Sequence, residues 1–419
     1  MRYINWIVAS LFLIVLPSYT SSFETTSGST LKNGIWRATL ARDTHRLPLL
    51  LDISKNPDNK TFSVFVVNGT ERLKMDSTYI QDDSLVIPMQ LFDAKIVAKQ
   101  DGDHLKGRYY RLANGVVAGS IPFEAKFGEN YKFYKKGEAK SSKNVAGKWA
   151  TLFKNEITGD TTRAVANFAQ QGTDVTGSFL TPTGDYRFLT GSVNGDSLFL
   201  STFDGSNAML FKAAIVADGR LKGAMWTGLK GYKTWNAVLD PAAKLPDATK
   251  LTFLKPGFES IDFTFPDVNG KQWSLKNPRF KGKAVIIQIM GSWCPNCMDE
   301  TNYVAPWYKK NKSRGVEVIG LAFERSDKPE IANPKIKRMI TRFGIDYPIV
   351  LAGTNTDEAT GKALPMLNKV MSYPTTIFID KKGKVREIHT GFSGPGTGKY
   401  YDDFVSDFNG LMDKLINEK

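Results

Sequence analysis

The sequence predicts a multidomain chain: two tandem all-β modules, each a small barrel or sandwich, followed by an α/β domain. Three observations carry that prediction. Short apolar-alternating runs between turn residues fill residues 30–240, and landmarks within them recur at a fixed offset. From Pro256 onward the pattern changes to near-continuous apolar runs separated by helical stretches, which implies crossover units. Both cysteines of the chain stand three apart in that later part, in GSWCPNCMDE, Gly291 to Glu300.

A chain of 419 residues exceeds what one hydrophobic core accommodates. With 42% hydrophobic and 23% charged residues its composition is globular, which excludes a disordered chain. The N-terminus reads as a signal peptide over 1–22: Arg2, an apolar run from Trp6 to Leu16, Pro17, then small polar residues. That run is short against the roughly 20 residues a bilayer span needs, and the alternative is an uncleaved N-terminal membrane anchor. No cysteine follows the run, which excludes a lipoprotein anchor. Export would place the protein in the periplasm or cell envelope, where disulfides persist. Two cysteines make at most one bridge, so the cores must hold without cross-links.

The net charge of +14 invites a nucleic-acid reading. No block of five like charges occurs, and the densest basic runs, 132–143 and 309–314, fall in a linker and late in a helix. A solvated surface explains them, and no nucleic-acid partner is expected. Weak attraction to anionic membrane surfaces stays open.

The first module is expected over 30–133 and the second over 145–240. Gly34-Ile35-Trp36-Arg37-Ala38-Thr39-Leu40 is echoed by Gly147-Lys148-Trp149-Ala150-Thr151-Leu152, and Asp83-Ser84-Leu85 returns at the same offset as Asp196-Ser197-Leu198. Phe92-Asp93-Ala94 precedes His104-Leu105-Lys106-Gly107 much as Phe203-Asp204-Gly205 precedes Arg220-Leu221-Lys222-Gly223. The shared tryptophans and glycines read as core and turn residues. Between the modules YKKGEAKSSKN is a polar linker.

The α/β domain is expected over 256–419. Residues 258–275 read as a hairpin turning at Asp267 to Gly270. AVIIQIM is a strand buried on both faces. A helix from Pro295, the strand GVEVIGLAF, a helix near 334–343, strands at 347–352, 375–380 and 384–389, and a last helix at 400–417 follow, with mostly parallel pairing at the centre.

The cysteine pair admits three explanations. Zinc wants four ligands, and beside the cysteines the chain offers only His45, His104 and His389, scattered along it, so no metal is expected. A structural staple gains little from so short a loop. Redox chemistry fits best. Pro295 suits the first helical position, which makes Cys294 the capping residue facing free N–H groups and the positive end of the helix dipole. That environment lowers a thiol pKa from about 8.5 towards roughly 3.5–7.5. Cys297, one turn on, would keep its proton longer, giving one attacking and one resolving sulfur.

On these residues the part from Pro256 to Lys419 resembles the TlpA/ResA branch of the thioredoxin superfamily. Trp293-Cys294-Pro295-Asn296-Cys297 after AVIIQIMGS, Glu300, and Tyr373-Pro374-Thr375-Thr376 carry the resemblance. It implies a thioredoxin fold and a redox-active Cys294–Cys297 disulfide. It further implies a cis Pro374 facing the cysteines, a substrate-binding surface of Trp293, Tyr373 and Pro374, and a catalytic Glu300. Glu300 reads equally well as a first-turn carboxylate favoured by the dipole. One departure stands out: many thioredoxins carry a buried aspartate where this chain has Gln288. The resemblance further implies protein disulfide substrates, apocytochromes among them, and a membrane thiol donor, with no cofactor. Direction, oligomeric state and substrate are not legible. Two other functions compete with disulfide reduction. A peroxide reductase would need a proline and a threonine upstream, where Gly291 and Ile287 stand. A partner-binding β-repeat protein would use the redox domain as a sensor.

Overall fold

The computed structural model describes residues 31–113 and 115–418. The expected signal segment 1–22 lies outside them.

Residues Gly34–Phe127 form a closed barrel of eight antiparallel strands. Each strand pairs with the next, and the last, Val116–Phe127, returns to the first, Gly34–Arg42, with Ala38 opposite Ala125. Gly147–Leu239 repeats the arrangement, closing Gly147–Lys154 against Gly231–Leu239 with Thr151 opposite Ala237. Closure removes the open edges of the two barrel sheets themselves. One short strand hangs on each barrel, Glu71–Lys74 on the first and Gly184–Asp185 on the second.

The period-two pattern explains the interiors. In Thr61–Asn68 every second residue, Phe62, Val64 and Val66, is buried. Trp36 and Trp149 are both interior, and each indole N–H donates to the carbonyl four residues earlier, Lys32 at 3.1 Å and Val145 at 2.8 Å. The repeated tryptophan therefore performs the same local task twice. Phe153, Phe179, Phe211 and Trp235 fill the second barrel with edge and stacked ring contacts. Both interiors are packed with side chains rather than shaped around a ligand.

One residue of the basic run is not solvated. Lys132 is buried between the barrels, where its ammonium donates to Asn68 Oδ1 at 3.2 Å and the Ser201 carbonyl at 3.0 Å. Burial pushes its pKa down to about 7. Composition cannot reveal this, because both partners come from distant strands.

The C-terminal part is an α/β domain of thioredoxin type. Five strands order as Ile349–Thr354, Val316–Glu324, Ala284–Met290, Thr375–Ile379 and Val385–Thr390. The first three are parallel, while Thr375–Ile379 pairs antiparallel with both neighbours, so half of the pairings depart from the parallel expectation. Helices α1 (Pro295–Asn311), α2 (Pro329–Phe343), α3 (Asp357–Ala363) and α4 (Lys399–Asn417) complete it. Helix α2 begins at Pro329 and carries Pro334 inside it, so the stretch expected near 334–343 is its last two-thirds. The short α3, capped by the Thr356 hydroxyl on the Ala359 N–H, is absent from the sequence reading. The hairpin turns as expected, with Phe265 opposite Trp273. No described helix is long and apolar enough to cross a membrane.

Candidate active site

The strand Ala284–Met290 is buried along its whole length and delivers the chain to Gly291 at the rim of the sheet. Three contacts fix the turn into α1. Ser292 donates its backbone N–H and its hydroxyl to Glu324, at 2.7 and 2.8 Å. The Trp293 indole donates to the Phe323 carbonyl at 3.0 Å. A Cβ at Gly291 would lie 2.3 Å from that indole nitrogen and 2.9 Å from that carbonyl, so the crossing requires glycine.

Cys294 is the N-cap of α1, in extended conformation, with Pro295 following at the first helical position. Its sulfur accepts the Cys297 N–H at 3.2 Å and is bonded to the Cys297 sulfur. Both cysteines are buried, Cys294 being 4% exposed and Cys297 0%. Opposite them the Tyr373–Pro374 peptide is cis, and the Tyr373 carbonyl oxygen lies 3.4 Å from the Cys294 sulfur. The Tyr373 ring meets the Trp293 ring edge-on at 5.5 Å. The structure thus brings Trp293, Cys294, Cys297, Tyr373 and Pro374 together. Cys294 and Tyr373, expected at one site, stand 79 residues apart in the chain and meet here.

Glu300 is not a first-turn carboxylate at the helix surface. It lies in the second turn, fully buried, with its oxygens accepting the Thr376 hydroxyl at 2.5 Å and the Gln288 amide at 2.6 Å. Burial pushes its pKa up to about 7, against the opposing pull of those two hydrogen bonds. Gln288, the position of the departure, also donates to Thr301 at 3.2 Å and accepts from the Tyr347 hydroxyl at 3.3 Å. Thr301 in turn donates to the Cys297 carbonyl at 2.7 Å. A titratable carboxyl is therefore linked by hydrogen bonds to the turn that holds the inner cysteine. Among the described residues no group of three or more His, Cys, Asp or Glu is disposed to hold a metal.

The second barrel takes part in the site, which nothing in the sequence reading foresaw. Its turn beyond Thr181 lies against the cysteine loop. Ser372 donates to the Thr183 carbonyl at 2.5 Å, Asn296 to the Asp185 carbonyl at 3.4 Å, and the Gly394 N–H to the Asp185 carboxylate at 2.7 Å. Arg187, buried and held at a left-handed φ of 58°, ties three bodies together. Its guanidinium pairs with Asp299 of α1, with Glu71 of the first barrel at 2.5 Å, and approaches Asp204 of its own barrel at 3.6 Å. Burial raises the pKa values of Asp185, Asp204 and Asp299, and Arg187 pulls each of them back. Arg187 carried no local signal, since its partners lie more than a hundred residues away in the first barrel and in α1.

The Redoxin family model matches residues 242–403, the stretch that builds the cysteine loop and the cis-proline strand. The thiol-disulfide oxidoreductase ResA of Bacillus subtilis is 31% identical over 161 residues, covering 38% of this chain and 76% of that protein. The chain belongs to the ResA family. The ResA of Halalkalibacterium halodurans is 29% identical over 138 residues, 33% of this chain and 69% of its own. Among solved structures, a thioredoxin-family thiol:disulfide interchange protein from Chlorobium tepidum aligns at 24% identity and a TM-score of 0.30, covering 38% of this chain and 96% of that one. As a ResA-family member the protein is a thiol-disulfide oxidoreductase, and its two barrels precede the shared part.

Proposed function

We propose that the protein is an exported disulfide reductase of the cell envelope working through the Cys294-Pro295-Asn296-Cys297 site. The observation that carries the proposal is the position of Cys294. It caps α1, accepts a helix N–H, and faces the cis Pro374 turn.

In the reduced protein the Cys294 thiolate attacks one sulfur of a substrate disulfide. An S–S bond forms between Cys294 and the substrate as the substrate's own S–S bond breaks, and the departing substrate sulfur takes a proton. Cys297, losing its proton, then attacks the Cys294 sulfur. The second substrate thiol is released, and the pair ends as the disulfide the structure holds. Two electrons have passed from the cysteine pair to the substrate, and a dithiol donor must restore them; a membrane thiol donor is the partner proposed. Glu300 handles the Cys297 proton, supported by its pKa near 7 and its hydrogen-bonded link to that turn. Trp293, Tyr373 and Pro374 form the surface on which the substrate chain lies. Substrates are exported protein disulfides, with apocytochromes as the class the family resemblance implies. The working division is 1–22 signal peptide, 30–133 and 145–240 β modules, and 256–419 redox domain.

Insulin reduction by the wild-type protein and two variants tests the scheme. Cys294→Ser is expected to abolish turnover and Cys297→Ser to accumulate mixed disulfides. Turnover at the wild-type rate by either variant defeats the assignment, and consumption of peroxide in preference to insulin would favour the peroxide-reductase alternative.

A further inference from the structure

A cleft of about 720 Å³ separates the first barrel from helices α1 and α2. Its floor is apolar: Met75, Leu91 and Phe92 from the barrel face Met298 of α1. Its walls are cationic. Arg342 is engaged with Asp76 at 3.0 Å and Arg72 with Asp52 at 2.6 Å. The side chains of Lys74, Lys337 and Arg338 form no ion pair among the described residues, and all three residues are exposed. The three carboxylates on the lining, Asp76, Asp204 and Asp299, are already matched by Arg342 and Arg187. The cleft therefore presents uncompensated positive charge above an apolar base. Its lining includes Pro295, the residue that follows Cys294.

We propose that this cleft receives an acidic, partly apolar peptide segment flanking the disulfide of the substrate protein. The inference rests on the reductase reading and names the substrate class for that site. Charge complementarity selects the segment and steers its approach, while the apolar floor takes one or two hydrophobic side chains. A chain seated there runs towards Pro295 and brings its sulfur pair to Cys294. A peptide is favoured over a membrane surface because the free cations line a recess between two domains rather than a convex face. The first barrel thereby acquires a role: it supplies one wall of the substrate site.

The full-length reduced protein is assayed on two synthetic peptides, each closing one intramolecular disulfide, flanked either by glutamates or by lysines. Hydroxyethyl disulfide serves as a neutral control. The acidic peptide should show a kcat/KM about tenfold or more above the basic one, carried by KM and shrinking as salt rises. The double variant Lys337→Glu, Arg338→Glu should lose or invert that preference while reducing hydroxyethyl disulfide at the wild-type rate. Equal rates on both peptides overturn the proposal, as does a variant that keeps the preference. Binding of cysteine-free versions of the peptides, read by fluorescence anisotropy, gives an arm independent of redox chemistry. Failure to reduce the neutral disulfide then overturns the reductase reading, whereas loss of peptide discrimination in binding overturns the cleft assignment. Phosphatidylglycerol vesicles that bind wild type and not the variant, with no discrimination between peptides, would also overturn it in favour of a lipid surface.

Discussion

Replacing Glu300 by glutamine keeps a planar group of the same size between Gln288 and Thr376 while removing the only proton that titrates there. Burial lifts this carboxyl from 4.5 to about 7. Each pKa unit is worth about 1.4 kcal/mol, so ionising Glu300 inside the fold costs about 3 kcal/mol. The sign follows from proton linkage. A carboxyl whose pKa rises on folding binds its proton more tightly in the native state. Its stabilising contribution is full below about pH 4.5 and is lost as pH climbs to about 7. The variant lacks this loss. Urea unfolding of oxidised wild type and Glu300→Gln, compared from about pH 5 to about pH 8, should show the gap between them widening by about 2–3 kcal/mol in the variant's favour. Asp185, Asp204 and Asp299 titrate in both proteins and cancel in the difference. In reduced protein the variant should also lose the inflection near neutral pH in the rate of Cys297 alkylation. A stability gap that stays constant across that range refutes the account of Glu300 as a buried, proton-holding carboxyl.

Two further outcomes follow from the same geometry. Arg187→Met should destabilise the chain by about 3–5 kcal/mol, because Glu71, Asp204 and Asp299 are left buried without their counter-charge; the thermal midpoint checks it, and Arg187→Lys should recover only part of the loss, since one ammonium cannot span three carboxylates. Gly291→Ala should lower disulfide turnover while leaving the barrels intact. Its Cβ would push the Trp293 indole off the Phe323 carbonyl, a displacement readable as a change in tryptophan fluorescence.

The barrels were legible as repeated β modules because alternation and turn residues are local signals, and Trp36 and Trp149 mark the same place in each. Closure was not, since pairing Val116–Phe127 back onto Gly34–Arg42 depends on strands at opposite ends of the module. The cysteine loop was readable for the converse reason: strand, glycine, cap residue and Pro295 follow one another in the chain. Glu300 was half legible. Its position in the sequence is compatible with a surface helix end, and only the packing of Gln288 and Thr376 on it reveals a core carboxyl. Arg187, Asp185 and Lys132 owe their importance to partners in other domains, and no window of sequence contains both members of such a pair. The strand at Thr375–Ile379 was expected but its antiparallel direction was not, because alternating strands and helices look alike whichever way a strand enters the sheet.

The ion pair between Arg187 and Asp299 bears on how freely such a chain can be recombined. A redox domain that is a self-sufficient cassette could be transplanted onto any carrier without loss. Here the first turns of the cysteine helix borrow a counter-ion from the neighbouring barrel, so a chimera carrying residues 256–419 on a foreign partner would inherit an orphaned acid beside its reactive sulfurs. Lineages that exchange the N-terminal modules would be expected to change position 299 in step, giving up the aspartate wherever the arginine is not there to meet it.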